Sequence, residues 1–331
     1  MRALADYNLG LVLLRENREG AARRSFEHAR RESNDEKITR LADAALQRLD
    51  SANEVAAVSP RWVTFVDADV GYDDNVALLD ESTLPASTSA SSAFRELLAV
   101  ITGPISNGLG FRFNGSVYSI GYDDAGEFDE TAARIGGSYG WTPGAWHIEA
   151  ESRFDYAVLD GSAFDQQLGA GVNLTRPLSS TTMLGISVMH DEVEGNQTQY
   201  SLLNGSREQF GLSWDRNGTN NGRLTFAYLY ESNDRRSPSV SPSRNGLTVR
   251  YRYGMNRVWT ADLSLSLRRS VFAETAGTRN EDRTDLSVGV RRHFSHSWHL
   301  AGAYLRSDNR SNVAAFEYTR NRLSLGLSKD F

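Results

Sequence analysis

The chain has 331 residues, enough for one large barrel or for two or three average domains. A formal net charge of -6 gives no general case for a nucleic-acid partner, and the lack of cysteine excludes disulfide scaffolds, thiol nucleophiles and thiolate metal sites. Hydropathy is low on average and lysine is almost absent, yet glycine (28) and aromatics (Phe 14, Tyr 13, Trp 6) are plentiful; no run of 18 apolar residues exists, so no transmembrane helix is expected.

The first fifty residues predict helices. Tyr7, Leu9 and Leu13, then Ala22, Phe26 and Ala29, recur at helical spacing on either side of the polar turn "RENREG". A further helix is predicted from about Asp35 to Leu49, with Ile38, Leu41, Ala45 and Leu49 on one side. Leu9-Gly10, Ala22, Phe26 and Ala29 resemble a tetratricopeptide repeat, in which small residues admit a paired helix, although Asn34 stands where that repeat usually ends on proline. The plainer expectation is a helical hairpin. Arg15 and Glu16 interrupt the start too early for a secretory signal, so an exported form is expected to be a mature chain, a fragment or a misplaced start. Residues 51–61, "SANEVAAVSPR", read as a linker.

From residue 62 to 331 the period changes from 3.6 to 2. Trp62, Thr64, Val66, Ala68, Val70 and Tyr72 alternate with Val63, Phe65, Asp67, Asp69 and Gly71. The same alternation recurs in fourteen segments, starting near residues 62, 92, 109, 128, 145, 162, 181, 206, 222, 245, 259, 281, 298 and 316. Two of them, "FRELLAVI" and "WHLAGAYL", have no clear phase. Short turns such as "WTPGA" and "GMNRV" alternate with longer polar stretches such as "DEVEGNQTQYSLLNGSRE". That asymmetry predicts an all-β membrane barrel of about fourteen antiparallel strands, with both termini at the short-turn rim, taken as periplasmic. Only a closed sheet satisfies strand backbone in lipid, which becomes the outer wall's partner. Tyr72, Trp141, Tyr156, Trp214, Tyr230, Tyr253, Trp259 and Trp298 fall toward segment ends, where interfacial girdles belong.

The opposite face carries the charges. Asp67, Asp69, Arg112, Arg134, Glu149, Glu151, Arg153, Asp155, Arg223, Glu231, Arg250, Arg252, Asp262, Arg268, Asp285, Arg291, Arg322 and Asp330 are the candidate lumen-lining residues. A network of ion pairs stiffening the wall is the plainer reading; a charge mix that tunes passage is the functional one. Arg250, Arg252, Arg268 and Arg291 fall on the tenth to twelfth strands as a basic ladder, and Glu149, Glu151 and Asp155 on the fifth. The stretches "DDNVALLDESTLPASTSASS", with Leu78, Leu79 and Leu84 as anchors, and "DEVEGNQTQYSLLNGSRE" are the candidates for folding inward. No catalytic constellation is expected: the histidines lack an obvious serine and acid on neighbouring strands, and His190, near the long-loop rim, is the first to test for a lipid enzyme. His293, His296 and His299 read as a solvated turn rather than a metal site, and "YDDN" is a weak calcium candidate. No cofactor is expected.

Two stretches carry a family resemblance: Gly71-Tyr72-Asp73-Asp74-Asn75-Val76, and the ending "FEYTRNRLSLGLSKDF" with its terminal Phe331. Over residues 62–331, and loosely over 1–50, the chain resembles the surface lipoprotein assembly modifier group and related bacterial outer-membrane proteins with periplasmic tetratricopeptide repeats. The resemblance implies an outer-membrane location with the helices in the periplasm, a barrel-assembly machinery as partner during biogenesis, and a periplasmic protein client at the helical segment. It further implies a role in translocation or surface display of an exported, lipoprotein-type client. The alternative expectation is a diffusion or export channel for small, anionic solutes or polysaccharide.

Overall fold

The computed structural model describes residues 22, 25–27, 29–30, 42, 45–46, 62–78, 91–105, 110–218, 221–256, 258–274, 277–294 and 297–331. The chain divides into two compact units, Met1–Arg61 and Trp62–Phe331. In the first, Ala22, Phe26 and Leu46 are helical and buried together, with Ala45 packed on them. The four-residue step from Ala22 to Phe26 and from Ala42 to Leu46 puts each buried pair on one helical face. Gly10, Asn34, Ile38, Leu41, Leu49 and the predicted linker lie outside the described residues.

The second unit is a closed barrel of fourteen antiparallel strands in simple up-and-down order. They are β1 (Val63–Asp73), β2 (Ser92–Pro104), β3 (Phe111–Tyr122), β4 (Glu130–Trp141), β5 (His147–Leu159), β6 (Ser162–Ser179), β7 (Thr182–Gly195), β8 (Gly205–Asn217), β9 (Gly222–Arg235), β10 (Pro242–Gly254), β11 (Trp259–Glu274), β12 (Gly277–His293), β13 (Trp298–Ser311) and β14 (Tyr318–Asp330). Each begins within four residues of the position read from alternation.

Cross-strand partners share a face, so the register sorts every side chain. One face carries Val70, Ile135, Leu168, Leu323 and Leu325, each more than half exposed. In water such a continuous apolar wall would aggregate; in lipid it is the wetted surface. The aromatic residues read as girdles all lie on it. Tyr139 and Trp141 stack on one another at its short-turn edge, and Phe111 packs on Tyr139. The phases that alternation left open are settled by pairing. In β2, Phe94, Glu96, Leu98 and Val100 oppose inward-facing residues of β1, and Arg95, Leu97 and Ala99 point out. In β13, His299, Ala301, Ala303 and Leu305 point in.

Several stretches read as long loops are partly strand. β7 runs through Glu194, a 3-10 turn covers Thr198–Leu203, and β8 resumes at Gly205. β9 and β10 are joined through a three-residue 3-10 turn at Pro238–Val240. β5 and β6 meet at the two-residue turn Asp160-Gly161, both with positive φ (48° and 66°), the Asp-Gly signature of a tight hairpin. Beyond the apolar band both faces of a strand are polar, so period two vanishes from the sequence while the ladder continues.

β1 closes against β14 over nine register pairs, from Phe65↔Asp330 to Asp73↔Arg322. The two stretches that carry the family resemblance meet here. The Asp73 carboxylate is fully buried and accepts from Arg320 Nε at 2.9 and 3.0 Å, and also from the Asn75 backbone N–H. Asp74 accepts from the Asn321 side-chain amide at 2.7 Å, and the Asn75 amide donates to the Thr319 carbonyl at 3.0 Å. The calcium reading of "YDDN" is therefore corrected: its two carboxylates are engaged by Arg320 and Asn321 of β14. Arg322 pairs with Glu96 and lies over the Phe94 ring at 4.0 Å. Gly71 seats that ring, since a Cβ there would come 2.4 Å from it. Val76, from the β1–β2 connection, joins Phe94, Ile120, Tyr122 and Ala125 in an apolar cluster on the inner wall. Val76 is thus the buried anchor of that connection, where Leu78 was expected; Leu79 and Leu84 lie outside the described residues.

Candidate functional site

The inner wall is built by the alternate residues of all fourteen strands, and solvent reaches it. The side chains of Arg134, Arg223 and Arg252 keep 49, 53 and 49% of their accessible surface although they point into the barrel. Charges need water or partners inside a membrane protein. The two halves of this wall meet that need differently.

On β4 to β8 the charges are linked. Arg134 pairs with Asp155, which also accepts from Arg153 Nε at 3.1 Å. Arg153 reaches past β6 to Asp191 at 2.8 Å, and Asp191 accepts from Arg207 at 2.8 and 3.0 Å. Arg207 also donates to Gln167 at 3.0 Å. The chain of contacts runs across five strands. Its centre, Asp191, is fully buried and sits against Gly169, where a Cβ would come 2.3 Å from its carboxylate. Two guanidinium groups and no solvent surround this anion. Asp191, Arg207 and Arg244 are not in the set read from alternation; the first two fall in the polar strand ends read as loop, and the third precedes the expected start of its strand.

Most other members of that set are also held. Arg112 donates to Thr102 (3.2 Å), Glu151 accepts from Asn173 (3.1 Å), and Arg223 donates to Asp215 (2.9 Å). Glu231 is gripped by Arg244 at 2.6 Å and by Gln209 and Asn233, and Asp285 by Arg283 at 2.7 Å and Ser307 at 2.6 Å.

The basic ladder is corrected in detail. Arg252 Nε donates to Asp262 at 2.7 Å, so this rung is paired. Arg268 stands in register with Gly246 and Arg283, four residues up β10 from Arg250, or roughly 13 Å along the strand. Arg250, Arg252 and Arg291 line one cavity of about 320 Å³ with Asp262. Among the described residues, Arg250, Arg268 and Arg291 have no carboxylate partner. The Nε groups of Arg268 and Arg291 are buried without an acceptor. β5, which carries Glu149 and Glu151, is the seventh strand from β12 around the closed ring of fourteen and lies opposite it. Asp67 lies within electrostatic reach of Arg291, and Asp215 within reach of Arg250.

The histidines divide between the faces. His190 points outward on β7, paired with Glu208 and, at 3.1 Å, with Glu192. His293 and His299 face inward at the short-turn rim with ring centroids 4.6 Å apart. His299 is 9% exposed and binds Asp330 at 2.8 Å, which corrects the solvated-turn reading for that residue. His296 lies outside the described residues. Among the described residues no three His, Asp or Glu side chains stand close enough to hold a metal.

No protein-family model and no curated protein matches the sequence. Solved structures share the barrel. A loop L8 deletion mutant of OmpT, an outer-membrane protein of Vibrio cholerae, aligns over 82% of this chain and 99% of its own with a TM-score of 0.50 and 6% identity. An anion-selective porin from Comamonas acidovorans aligns over 82% and 99% (TM-score 0.49, 10% identity). A bacterial polysaccharide outer-membrane secretin aligns over 81% and 97% (TM-score 0.44, 11% identity). At such identities the likeness is one of fold alone.

Proposed function

We propose that the barrel is an outer-membrane diffusion channel for small solutes that favours anions, with its short-turn rim in the periplasm. One observation carries this reading: Arg250 and Arg291 face the bore without an ion-pair partner, and Arg291 lies opposite the strand that bears Glu149 and Glu151. An unpaired guanidinium group in a low-dielectric wall attracts anions and repels cations, and its electrostatic reach is greatest where the bore is narrow and salt is low.

The translocation reading, implied by the likeness to surface lipoprotein assembly modifiers, is less favoured. It calls for periplasmic repeats that hold a client, and for first and last strands that part. Parting β1 from β14 would break nine register pairs together with the Asp73–Arg320 and Arg322–Glu96 ion pairs. Burial of Asp73 makes that separation costly, because a carboxylate stripped of its partner in a dry site destabilises the wall by about 3–5 kcal/mol.

The test is the reversal potential of the refolded full chain in a planar bilayer under a potassium chloride gradient. The expected result is steady conductance with a reversal potential of the sign set by chloride. A cation-selective current, or none, would overturn the proposal.

A further inference from the structure

Charges on the outward face of the barrel are sorted by rim. Toward the long connections they are mixed: His190 sits between Glu192 and Glu208, and Arg306 pairs with Asp308. Toward the short turns they have one sign. The register turns Arg176, Arg216, Arg292 and Lys329 outward there. None of the four has an ion-pair partner among the described residues, and no carboxylate among them faces outward at that rim. The short turns at 105–110, 142–146, 180–181, 218–221, 255–258 and 294–297 contain no aspartate or glutamate either. Two of the four cations stand close together over strands β11 to β14. Arg292 is in register with Trp259, and Lys329 with Trp298. Phe294 is level with Trp298, whose carbonyl accepts from its backbone N–H at 3.0 Å. The Arg292 guanidinium lies over Trp259 and Phe294, 5.6 and 4.9 Å from the ring centroids. The Lys329 ammonium lies over Trp298 and Phe331, at 5.1 and 4.0 Å. Phe294 and Phe331 are more than half exposed. The patch is continuous with the apolar wall above it, through Val290, Leu300 and Leu327.

We infer that this outer face of β11 to β14, at the short-turn rim, binds anionic phospholipids through their headgroup phosphates. The inference holds whatever the bore passes. A cation held against aromatic rings at the edge of the apolar band stands at headgroup depth, with its free N–H donors toward the lipid phosphate and the rings toward the upper acyl chains. A basic side chain at such a surface attracts acidic lipid. Arg292 and Lys329 are offset by two strands and two residues, which sets their backbones roughly 12 Å apart, and their heads lie over different rings. Each therefore takes a phosphate of its own. A zwitterionic lipid fits less well. Its ammonium group needs a carboxylate or a free ring face, the rim offers no carboxylate, and the ring faces are already covered by Arg292 and Lys329. A soluble anion would gain the same charges but nothing from the adjoining apolar wall.

The experiment is native mass spectrometry of the refolded full chain in a neutral detergent, titrated with phosphatidylglycerol or phosphatidylcholine of the same acyl chains. Phosphatidylglycerol is expected to be retained at a concentration about fivefold or more below that of phosphatidylcholine, as one basic side chain at an acidic surface gives. Arg292→Gln and Lys329→Gln are each expected to lower that preference, and the double variant to abolish it. Arg292→Lys combined with Lys329→Arg keeps it, which separates lipid binding from a merely structural stacking of cation on ring. Arg310→Gln, at the opposite rim, leaves it unchanged. Heat-modifiable electrophoretic mobility checks that each variant is folded. Equal retention of the two lipids, a preference untouched in the double variant, or a loss in Arg310→Gln as large as in the double variant overturns the inference. The parent chain decides independently of any variant: the preference should vanish in about 1 M ammonium acetate, where screening acts within roughly 3 Å, and a preference that survives is not electrostatic and overturns it. Inorganic phosphate that displaces phosphatidylglycerol at equal concentration would overturn it too, since the site would then hold the anion and not the lipid.

Discussion

The β4–β8 wall and the β10–β12 wall are made of the same residue types, yet they behave as opposites. In the first, Arg134, Arg153 and Arg207 share Asp155 and Asp191, and no guanidinium is left over. In the second, Arg250 and Arg291 have no ion-pair partner, and the Asp262 carboxylate that lines the same cavity is taken by Arg252. The difference teaches that charge in a barrel lumen has two uses. Paired and buried, it braces strands that are not neighbours in the ladder: the Arg153–Asp191 contact ties β5 to β7 across β6. Unpaired and solvated, it contributes little to stability and acts on what enters the bore.

The comparison can be broken first at Asp191. Asp191→Ala leaves two guanidinium groups facing each other in a dry site, and a loss of about 3–5 kcal/mol is expected in urea unfolding of the lipid-embedded barrel. A loss below 1 kcal/mol would mean that water already solvates this network. The seam offers the next largest effect. A double-mutant cycle on Asp73→Ala and Arg320→Ala should return a coupling of about 1–3 kcal/mol, because the carboxylate is fully buried against its partner; additive single effects would refute a latch. On the opposite wall, Arg250→Ser combined with Arg291→Ser should cost no stability, and should raise it by up to about 1–3 kcal/mol because it removes a buried N–H that has no acceptor. The same variant should move the reversal potential toward zero, so stability and selectivity part company in one protein. The smallest effect belongs to Arg95, whose pair with Asp123 is exposed on both sides. Arg95→Ala is expected to change stability by less than about 0.5 kcal/mol, and a larger loss would show that even rim pairs brace this barrel.

Much of the architecture is written in a period of two. Leu263, Leu265 and Leu267 can share a face only if Asp262, Ser264 and Ser266 share the other, and a one-residue slip would bury the wrong set in lipid. The pattern fades wherever both faces take the same chemistry. At Phe94 the inner face is apolar because Val76, Ile120 and Tyr122 cluster there, so β2 shows no phase. At Asp191, Glu192, Val193 and Glu194 the strand has left the apolar band, polarity no longer alternates cleanly, and the ladder reads as loop. Partners were the least legible feature. Nothing in the neighbourhood of Arg252 in the chain distinguishes it from Arg250, yet one is paired and the other is not.

What the sequence determines by itself is local. Alternation sets strand, face and approximate ends; glycine marks close approach, as at Gly71 and Gly169; Asp160-Gly161 sets a tight turn. These follow from backbone geometry and from the contrast between lipid and water, both of which act on each segment alone. Tertiary structure decided everything that depends on which strands become neighbours. Closure brought Asp73 to Arg320 from 247 positions away and joined the two distinctive stretches of the chain into one seam. It placed β5 opposite β12 and left Arg250 and Arg291 without a carboxylate. Coulomb energy falls with distance through space and is blind to distance along the chain, so the charge pairs that brace the wall, and the gaps that let it act, exist only once the ring is closed.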